Sequence, residues 1–118
     1  MRILIVEDEP FIALDLESAL NDLDHEVVGV ADTKTEALRL ARESGCDAAL
    51  VDMRLRDGFT GPEIADVLSG ELAIPFAFVT GNVEQLPPGR HGARAVVAKP
   101  FTKADIEAAI RDFVANPA

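Results

Sequence analysis

The stretch Ile3-Leu4-Ile5-Val6-Glu7-Asp8 joins a short, continuously apolar run to two carboxylates. A run of this kind, rich in β-branched residues, is typical of a strand that is buried on both faces, as in a parallel sheet. Four further runs have the same character, although less purely, at residues 27–30, 48–51, 76–79 and 95–98. The sequence therefore predicts five strands of one parallel sheet.

Amphipathic segments separate these runs. Apolar residues recur at helical spacing in the first segment, at Ile12, Leu16, Ala19, Leu20 and Leu23. Similar spacing recurs within residues 37–41, 64–68 and 106–113. Helix starts are marked by two capping-box pairs and a first-turn proline, namely Thr33 with Glu36, Thr102 with Asp105, and Pro62. Strands that alternate with helices predict a doubly wound α/β fold with right-handed crossovers and helices on both faces of the sheet.

The stretch after the fourth strand, residues 81–92, departs from this pattern. Pro87, Pro88, Gly89 and Gly92 leave room for little more than one helical turn. We therefore predict a short or irregular fourth helix. No repeat, low-complexity tract or linker divides the chain, so we expect a single domain over residues 1–118.

Composition excludes several classes of protein. The 48% apolar content can supply one core, whereas the net charge of −10 and the lack of a basic patch argue against a nucleic-acid partner. The first apolar run is too short for a signal peptide or a membrane span, so we expect a cytoplasmic protein without a membrane partner. Cys46 is the only cysteine, which excludes an intramolecular disulfide and a thiolate zinc cluster. We interpret His25 and His91 as solvated side chains.

Polar residues follow the ends of four predicted strands. Glu7 and Asp8 follow the first run, Asp52 the third, Thr80 the fourth and Lys99 the fifth. In a doubly wound sheet these ends border one crevice, where three carboxylates would repel one another unless a cation were bound. Oxygen donors without histidine or cysteine favour Mg²⁺. Each residue alone could be a helix cap or a turn residue, but their joint occurrence at one edge favours a site.

With these residues in place, the chain resembles the receiver domain of two-component response regulators over nearly its whole length. Glu7-Asp8 is similar to the acidic pair of that family, Asp52 to its phosphoacceptor and Thr80 to its hydroxyl residue. Lys99-Pro100-Phe101 matches the Lys-Pro-Phe signature. The resemblance implies a flavodoxin-like (βα)5 three-layer sandwich with strand order 2-1-3-4-5. It also implies a cis peptide bond between Lys99 and Pro100.

The resemblance further implies a phosphorylation reaction. Asp52 would accept a phosphoryl group from a histidine kinase or a histidine phosphotransfer protein, with Lys99 and Thr80 contacting the phosphoryl oxygens. Mg²⁺ would be held by Glu7, Asp8, Asp52 and the backbone carbonyl of Arg54. The domain would catalyse only its own phosphorylation and dephosphorylation, as a monomer or a weak phosphorylation-dependent dimer. Neither Arg54 nor Asn82, at the positions that control hydrolysis in the family, is an obvious general base, so we predict slow autodephosphorylation.

Two features depart from the common receiver pattern. Val96 stands where most receivers have an aromatic switch residue, so the usual coupling between the threonine and that ring is in question. The stretch Pro75-Phe76-Ala77-Phe78-Val79-Thr80-Gly81 resembles the signature of the "FAT GUY" subgroup, except that Val79 replaces an alanine. That subgroup implies a stand-alone receiver that acts with histidine kinases, often in the general stress response. We hypothesise that phosphorylation reorganises residues 81–92 through Thr80, without an aromatic relay.

Three alternatives belong to other classes. An aspartyl phosphatase would place a second Asp where Arg54 stands, and a flavodoxin-like cofactor binder would need a phosphate-cradling loop in place of Glu7-Asp8. A pseudo-receiver that binds partners without phosphorylation is the strongest rival. The complete set of site residues argues against it. Because the sequence ends with the last helix, we expect the signal to leave through protein contacts or phosphoryl transfer to an unidentified downstream protein.

Overall fold

The computed structural model describes residues 1–115, in which strands and helices alternate along the chain. The strands are β1 (Arg2–Val6), β2 (Glu26–Ala31), β3 (Ala48–Val51), β4 (Phe76–Thr80) and β5 (Ala95–Ala98). The α-helices are α1 (Pro10–Asp22), α2 (Lys34–Glu43), α3 (Gly61–Gly70) and α4 (Lys103–Ala115). Two single turns of 3₁₀ helix, Val83–Gln85 and Arg90–Gly92, lie between β4 and β5.

The five strands form one parallel sheet in the order β2-β1-β3-β4-β5, as predicted. Alternate residues of each strand point to opposite faces, and each face has its own apolar core. On one face Leu4 and Phe78 pack with α2 and α3, whereas on the other Ile5 and Leu50 pack with α1 and α4. The predicted three-layer α/β sandwich is therefore confirmed.

The helix starts predicted from the sequence are confirmed, two of them by side-chain hydrogen bonds. The Thr33 hydroxyl oxygen accepts the backbone N–H of Glu36 at 3.3 Å, at the start of α2. Thr102 and Asp105 form a reciprocal capping box before α4, with N···O distances of 2.9 and 3.2 Å. Pro62 lies in the first turn of α3, where a missing N–H costs no helical hydrogen bond.

Residues 81–92 contain no α-helix, which confirms the prediction of an irregular fourth helix. Pro87 and Pro88 separate the two 3₁₀ turns, and three successive residues, Arg90, His91 and Gly92, have positive φ. The interpretation of His91 as a solvated side chain is wrong. His91 Nδ1 lies 3.0 Å from Asp66 Oδ1 on α3, and its side chain is only 26% exposed.

The only cysteine of the chain lies inside the fold. Cys46 is buried beside the core, and burial raises the pKa of its thiol. Cys46 therefore serves as a small apolar side chain of the core. Among residues 1–115, no helix has the length and apolar character that crossing a bilayer requires.

Candidate functional site

The carboxyl ends of the strands bring the predicted site residues to one edge of the sheet. β1 and β3 are neighbours at the centre of the sheet, so Glu7 and Asp8 follow β1 beside Asp52 at the end of β3. Thr80 ends β4, and Lys99 follows β5. Glu7, Asp52 and Thr80 are the buried polar side chains of the described residues. Burying polar groups is costly unless they are paired, so their burial at one edge indicates a preformed polar site.

Lys99 joins two of the buried carboxylates. Its Nζ donates to Glu7 Oε1 at 2.6 Å and to Asp52 Oδ2 at 2.9 Å. A third, longer bond of 3.3 Å reaches the exposed carboxylate of Glu9. Sequence reasoning missed Glu9, although its position directly after Glu7-Asp8 could have suggested it. One ammonium therefore faces two buried carboxylates, and one of the two negative charges is not compensated.

This charge imbalance perturbs two pKa values. Burial raises the pKa of Glu7 from 4.5 to about 7, and the nearby charge of Asp52 adds to this, although the hydrogen bond from Lys99 opposes it. Burial alone would lower the pKa of Lys99, but its hydrogen bonds to Glu7 and Asp52 outweigh burial and raise it. Lys99 therefore stays charged, whereas Glu7 takes up a proton near neutral pH unless a cation replaces that proton.

The donor set fits a hard divalent cation. Glu7, Asp8 and Asp52 each offer a carboxylate oxygen, and these atoms lie within 4.8 Å of one another. Oxygen donors of this kind, with no histidine or thiolate among them, suit Mg²⁺. A cavity of about 390 Å³ opens over Asp52 and is also lined by Asp8, Glu9, Arg54, Gly81, Asn82 and Lys99. The predicted metal ligands therefore line or adjoin one solvent-accessible space.

Thr80 occupies a different position in the site. Its hydroxyl oxygen accepts the backbone N–H of Asn82 at 3.1 Å, while its backbone carbonyl accepts the N–H of Lys99 at 3.0 Å. The hydroxyl is thus held at the start of the 81–92 segment rather than against Asp52. The peptide bond between Lys99 and Pro100 is cis, which confirms that prediction.

The loop that begins at Asp52 returns at its far end to the backbone of Asp52 and Met53, directly after β3. A Cβ on Gly61 would lie 2.5 Å from the Cα of Met53 and would also overlap the backbone carbonyl of Asp52. Only glycine allows this approach, which holds the end of the loop against the backbone of Asp52. Within the loop, the Arg54 guanidinium lies 5.5 Å from the ring centroid of Phe59. This contact orients the Arg54 side chain at the rim of the cavity.

Comparison with known proteins gives the same family as the site residues. The family model of the response regulator receiver domain matches residues 3–111. The phyllosphere-induced regulator PhyR of Methylorubrum extorquens is 41% identical over 111 residues, which are 92% of this chain and 42% of PhyR. The chain spans about half the length of the curated relatives it matches.

Solved structures agree. PhyR of Bartonella quintana, described as an anti-anti-sigma factor, is 33% identical with a TM-score of 0.83 over 96% of this chain and 46% of that one. A PhyR structure described as a stress response regulator is also 33% identical, with a TM-score of 0.80 over 94% of this chain and 43% of that one.

A third structure contains a bound metal. It is the receiver domain of the sensor histidine kinase PA1611 from Pseudomonas aeruginosa, with a magnesium ion in its active site cleft. It is 26% identical with a TM-score of 0.82, and the match covers 98% of both chains. The family model matches most of the chain, and the predicted fold and acidic edge are both present. The chain therefore belongs to the response regulator receiver domain family.

Proposed function

We propose that this chain is a cytoplasmic, Mg²⁺-dependent phosphoacceptor of a two-component system, and that Asp52 carries the phosphoryl group. One observation supports this most strongly. Asp52 is buried between a lysine and two further carboxylates, yet it borders an open cavity. One of its oxygens bonds to Lys99, and the other has no hydrogen-bond partner among residues 1–115. A carboxylate held in this way is oriented and still has an oxygen available as a nucleophile.

The phosphoryl donor is the phosphohistidine of a kinase or a phosphotransfer protein. An oxygen of Asp52 attacks the phosphorus, a P–O bond forms, and the P–N bond to the donor imidazole breaks. The imidazole leaves with the electron pair of that bond and takes up a proton. Glu7, Asp8, Asp52 and the backbone carbonyl of Arg54 would hold Mg²⁺, which supplies charge neutralisation on the transferring group.

The other site residues act on the phosphoryl oxygens. The Lys99 ammonium, which now faces Glu7 and Asp52, pairs with one oxygen of the phosphorylated product. The Thr80 hydroxyl leaves its bond with the Asn82 amide and donates to another oxygen. That movement pulls on the first residues of the 81–92 segment, so phosphorylation is coupled to this segment without an aromatic side chain at Val96.

The similarity to PhyR supports a role in a stress response. PhyR is described as a stress response regulator and an anti-anti-sigma factor, and the present chain matches just under half of each PhyR chain. We propose that the phosphorylated form signals through contacts with another protein or passes its phosphoryl group on. Its catalysis is confined to its own phosphorylation and dephosphorylation.

Labelling by acetyl phosphate tests the proposal. The wild type, Asp52→Ala and a control variant, Asp22→Ala, are incubated with acetyl phosphate and Mg²⁺ and separated on a phosphate-affinity gel. Asp22 is an exposed aspartate at the end of α1, so its loss removes the same charge away from the site. The wild type and Asp22→Ala should shift only when Mg²⁺ is present, and Asp52→Ala should not shift. Equal shifts in all three proteins, or none in any, would refute phosphorylation at Asp52.

A further inference from the structure

The loop between β3 and α3, residues 52–60, carries two of the proposed metal ligands, Asp52 and the backbone carbonyl of Arg54. Its far end is held by Gly61, whose N–H donates to the carbonyl of Met53 at 2.9 Å. Its middle is a tight turn in which Leu55 and Gly58 exchange backbone hydrogen bonds of 2.8 and 3.0 Å. These contacts shape the loop, and the buried side chains of Met53 and Leu55 anchor its first half in the core. The placement of its outer half depends on further bonds.

Asp57 supplies such a bond. Its Oδ2 accepts the backbone N–H of Lys34, the first residue of α2, at 3.0 Å, and its Oδ1 accepts the Thr60 hydroxyl at 2.8 Å. Slight burial would raise the pKa of Asp57, but the hydrogen bonds from Lys34 and Thr60 outweigh it and lower the pKa. The side chain is therefore an ionised cap on a helix that begins elsewhere in the chain.

The helix α2 has two caps of different origin. Thr33, the residue directly before α2, provides the local cap, because its hydroxyl oxygen accepts the N–H of Glu36. Asp57, which lies in the β3–α3 loop, caps the N–H of Lys34. The backbone N–H of Arg56 also donates to the carbonyl of Asp32 at 3.1 Å, and the Arg56 guanidinium lies 3.5 Å from the Asp32 carboxylate. The loop and the start of α2 therefore meet at three points. Of these contacts, the Asp57 bond is the one that caps the helix itself and can be removed by changing one side chain.

We propose that Asp57 is a positioning residue of the metal site, which, by capping α2, holds the β3–α3 loop where the Arg54 carbonyl completes the Mg²⁺ ligands. This inference rests on the proposed function, because it concerns the affinity for Mg²⁺. Without the Asp57 bond the outer half of the loop is less ordered, so more order must be imposed when the metal binds, and that ordering opposes binding. The two events are coupled, so the cap strengthens metal binding and the metal strengthens the cap by the same factor.

Three variants separate this role from simpler explanations. Asp57→Ala should weaken Mg²⁺ binding by roughly fivefold or more. Asp57→Asn should bind Mg²⁺ much as the wild type does, because its amide oxygen still accepts the Lys34 N–H although the charge is gone. Thr33→Ala, the matched control, removes the other cap of α2 and should lower stability without changing Mg²⁺ affinity.

Mg²⁺ affinity is measured by titrating ¹⁵N-labelled protein and following backbone amide shifts, because the chain has no Trp or Tyr to report binding. Equal affinities of Asp57→Ala and the wild type would overturn the inference alone, provided that the wild type binds Mg²⁺ and is labelled on Asp52. Weak binding by Asp57→Asn would reassign the effect to charge, and weak binding by Thr33→Ala would reassign it to helix stability. A wild type that binds no Mg²⁺ would overturn both this inference and the proposed function.

A measurement on the wild type covers the case in which Asp57→Ala fails to fold. Saturating Mg²⁺ should slow hydrogen exchange of the Lys34 amide by roughly the same factor, fivefold or more, because coupling is reciprocal. The Glu36 amide, capped by Thr33, is the internal control and should change less. Unchanged exchange at Lys34 would overturn the inference.

Discussion

The Glu7→Gln substitution should abolish a pH dependence of stability that the metal-free wild type shows near neutral pH. Glu7 is buried beside Asp52, and burial raises its pKa from 4.5 to about 7. A carboxyl group with a raised pKa binds its proton more tightly in the folded state than in the unfolded state. Its contribution to stability is therefore complete below pH 4.5 and is lost as the pH rises through 7.

The magnitude follows from the two pKa values. A pKa of about 7 in the fold against 4.5 in the unfolded chain corresponds to about 3 kcal/mol of unfolding free energy, of which about 2 kcal/mol is lost between pH 5 and pH 7. The raised pKa of Lys99 also stabilises the fold, but that contribution is lost only at a pH far above the range from 5 to 7. Glutamine keeps the shape of Glu7 and does not titrate, so the difference between the two proteins isolates the group.

Urea unfolding followed by circular dichroism measures the effect, in EDTA, at several pH values from 5 to 8. Between pH 5 and pH 7 the wild type should lose about 2 kcal/mol relative to Glu7→Gln. Glu43→Gln, which changes an exposed carboxylate on α2, should follow the wild type. Saturating Mg²⁺ should stabilise the wild type more at pH 8 than at pH 5, because the cation and the proton compete for the same carboxylates. Parallel profiles for the wild type and Glu7→Gln would refute this reasoning.

Three further predictions concern the loops around the site. Gly61→Ala should lower the unfolding free energy by about 3 kcal/mol, because the added Cβ meets the backbone of Asp52 and Met53. The control Gly70→Ala places its Cβ in open space and should change the unfolding free energy by less than about 1 kcal/mol in the same urea assay. Beryllofluoride with Mg²⁺ should change hydrogen exchange across residues 81–92 in the wild type but not in Thr80→Ala, and unchanged exchange in both would contradict the coupling through Thr80. Phosphorylated Asp52 should persist after the donor is removed, because neither Arg54 nor Asn82 is a general base; loss of the gel shift before the first time point would show that hydrolysis has another base.

Sequence reasoning predicted the elements closely where burial dictates residue type. The five apolar runs lie within one residue of the observed strands at either end, because strand positions that are covered on both faces are mostly apolar. The acidic pair, Asp52, Thr80 and Lys99 were located because, in a parallel α/β sheet, residues after successive strands share one edge. The strand order itself came from the resemblance to receivers, since periodicity alone does not specify which strands are neighbours.

Several features of the site could not be predicted in this way. Glu9 reaches Lys99 across 90 residues of sequence, Asp57 caps α2 across 23, and His91 pairs with Asp66 across 25. Each of these partners is an exposed or half-buried polar group with several possible local explanations. Which partner it meets depends on how the loops close over the edge of the sheet.

Sequence by itself therefore determined the α/β class, the irregular segment after the fourth strand, and the set of residues at the acidic edge. Local periodicity and residue type carry that information, because they reflect burial and helix capping within a few residues. Tertiary structure alone decided that Lys99 bridges Glu7 and Asp52, that the pKa of Glu7 rises to about 7, and that Asp57 ties the β3–α3 loop to α2. Those properties arise from distances between groups far apart in the chain and from the removal of water around them, and both exist only once the sheet has formed.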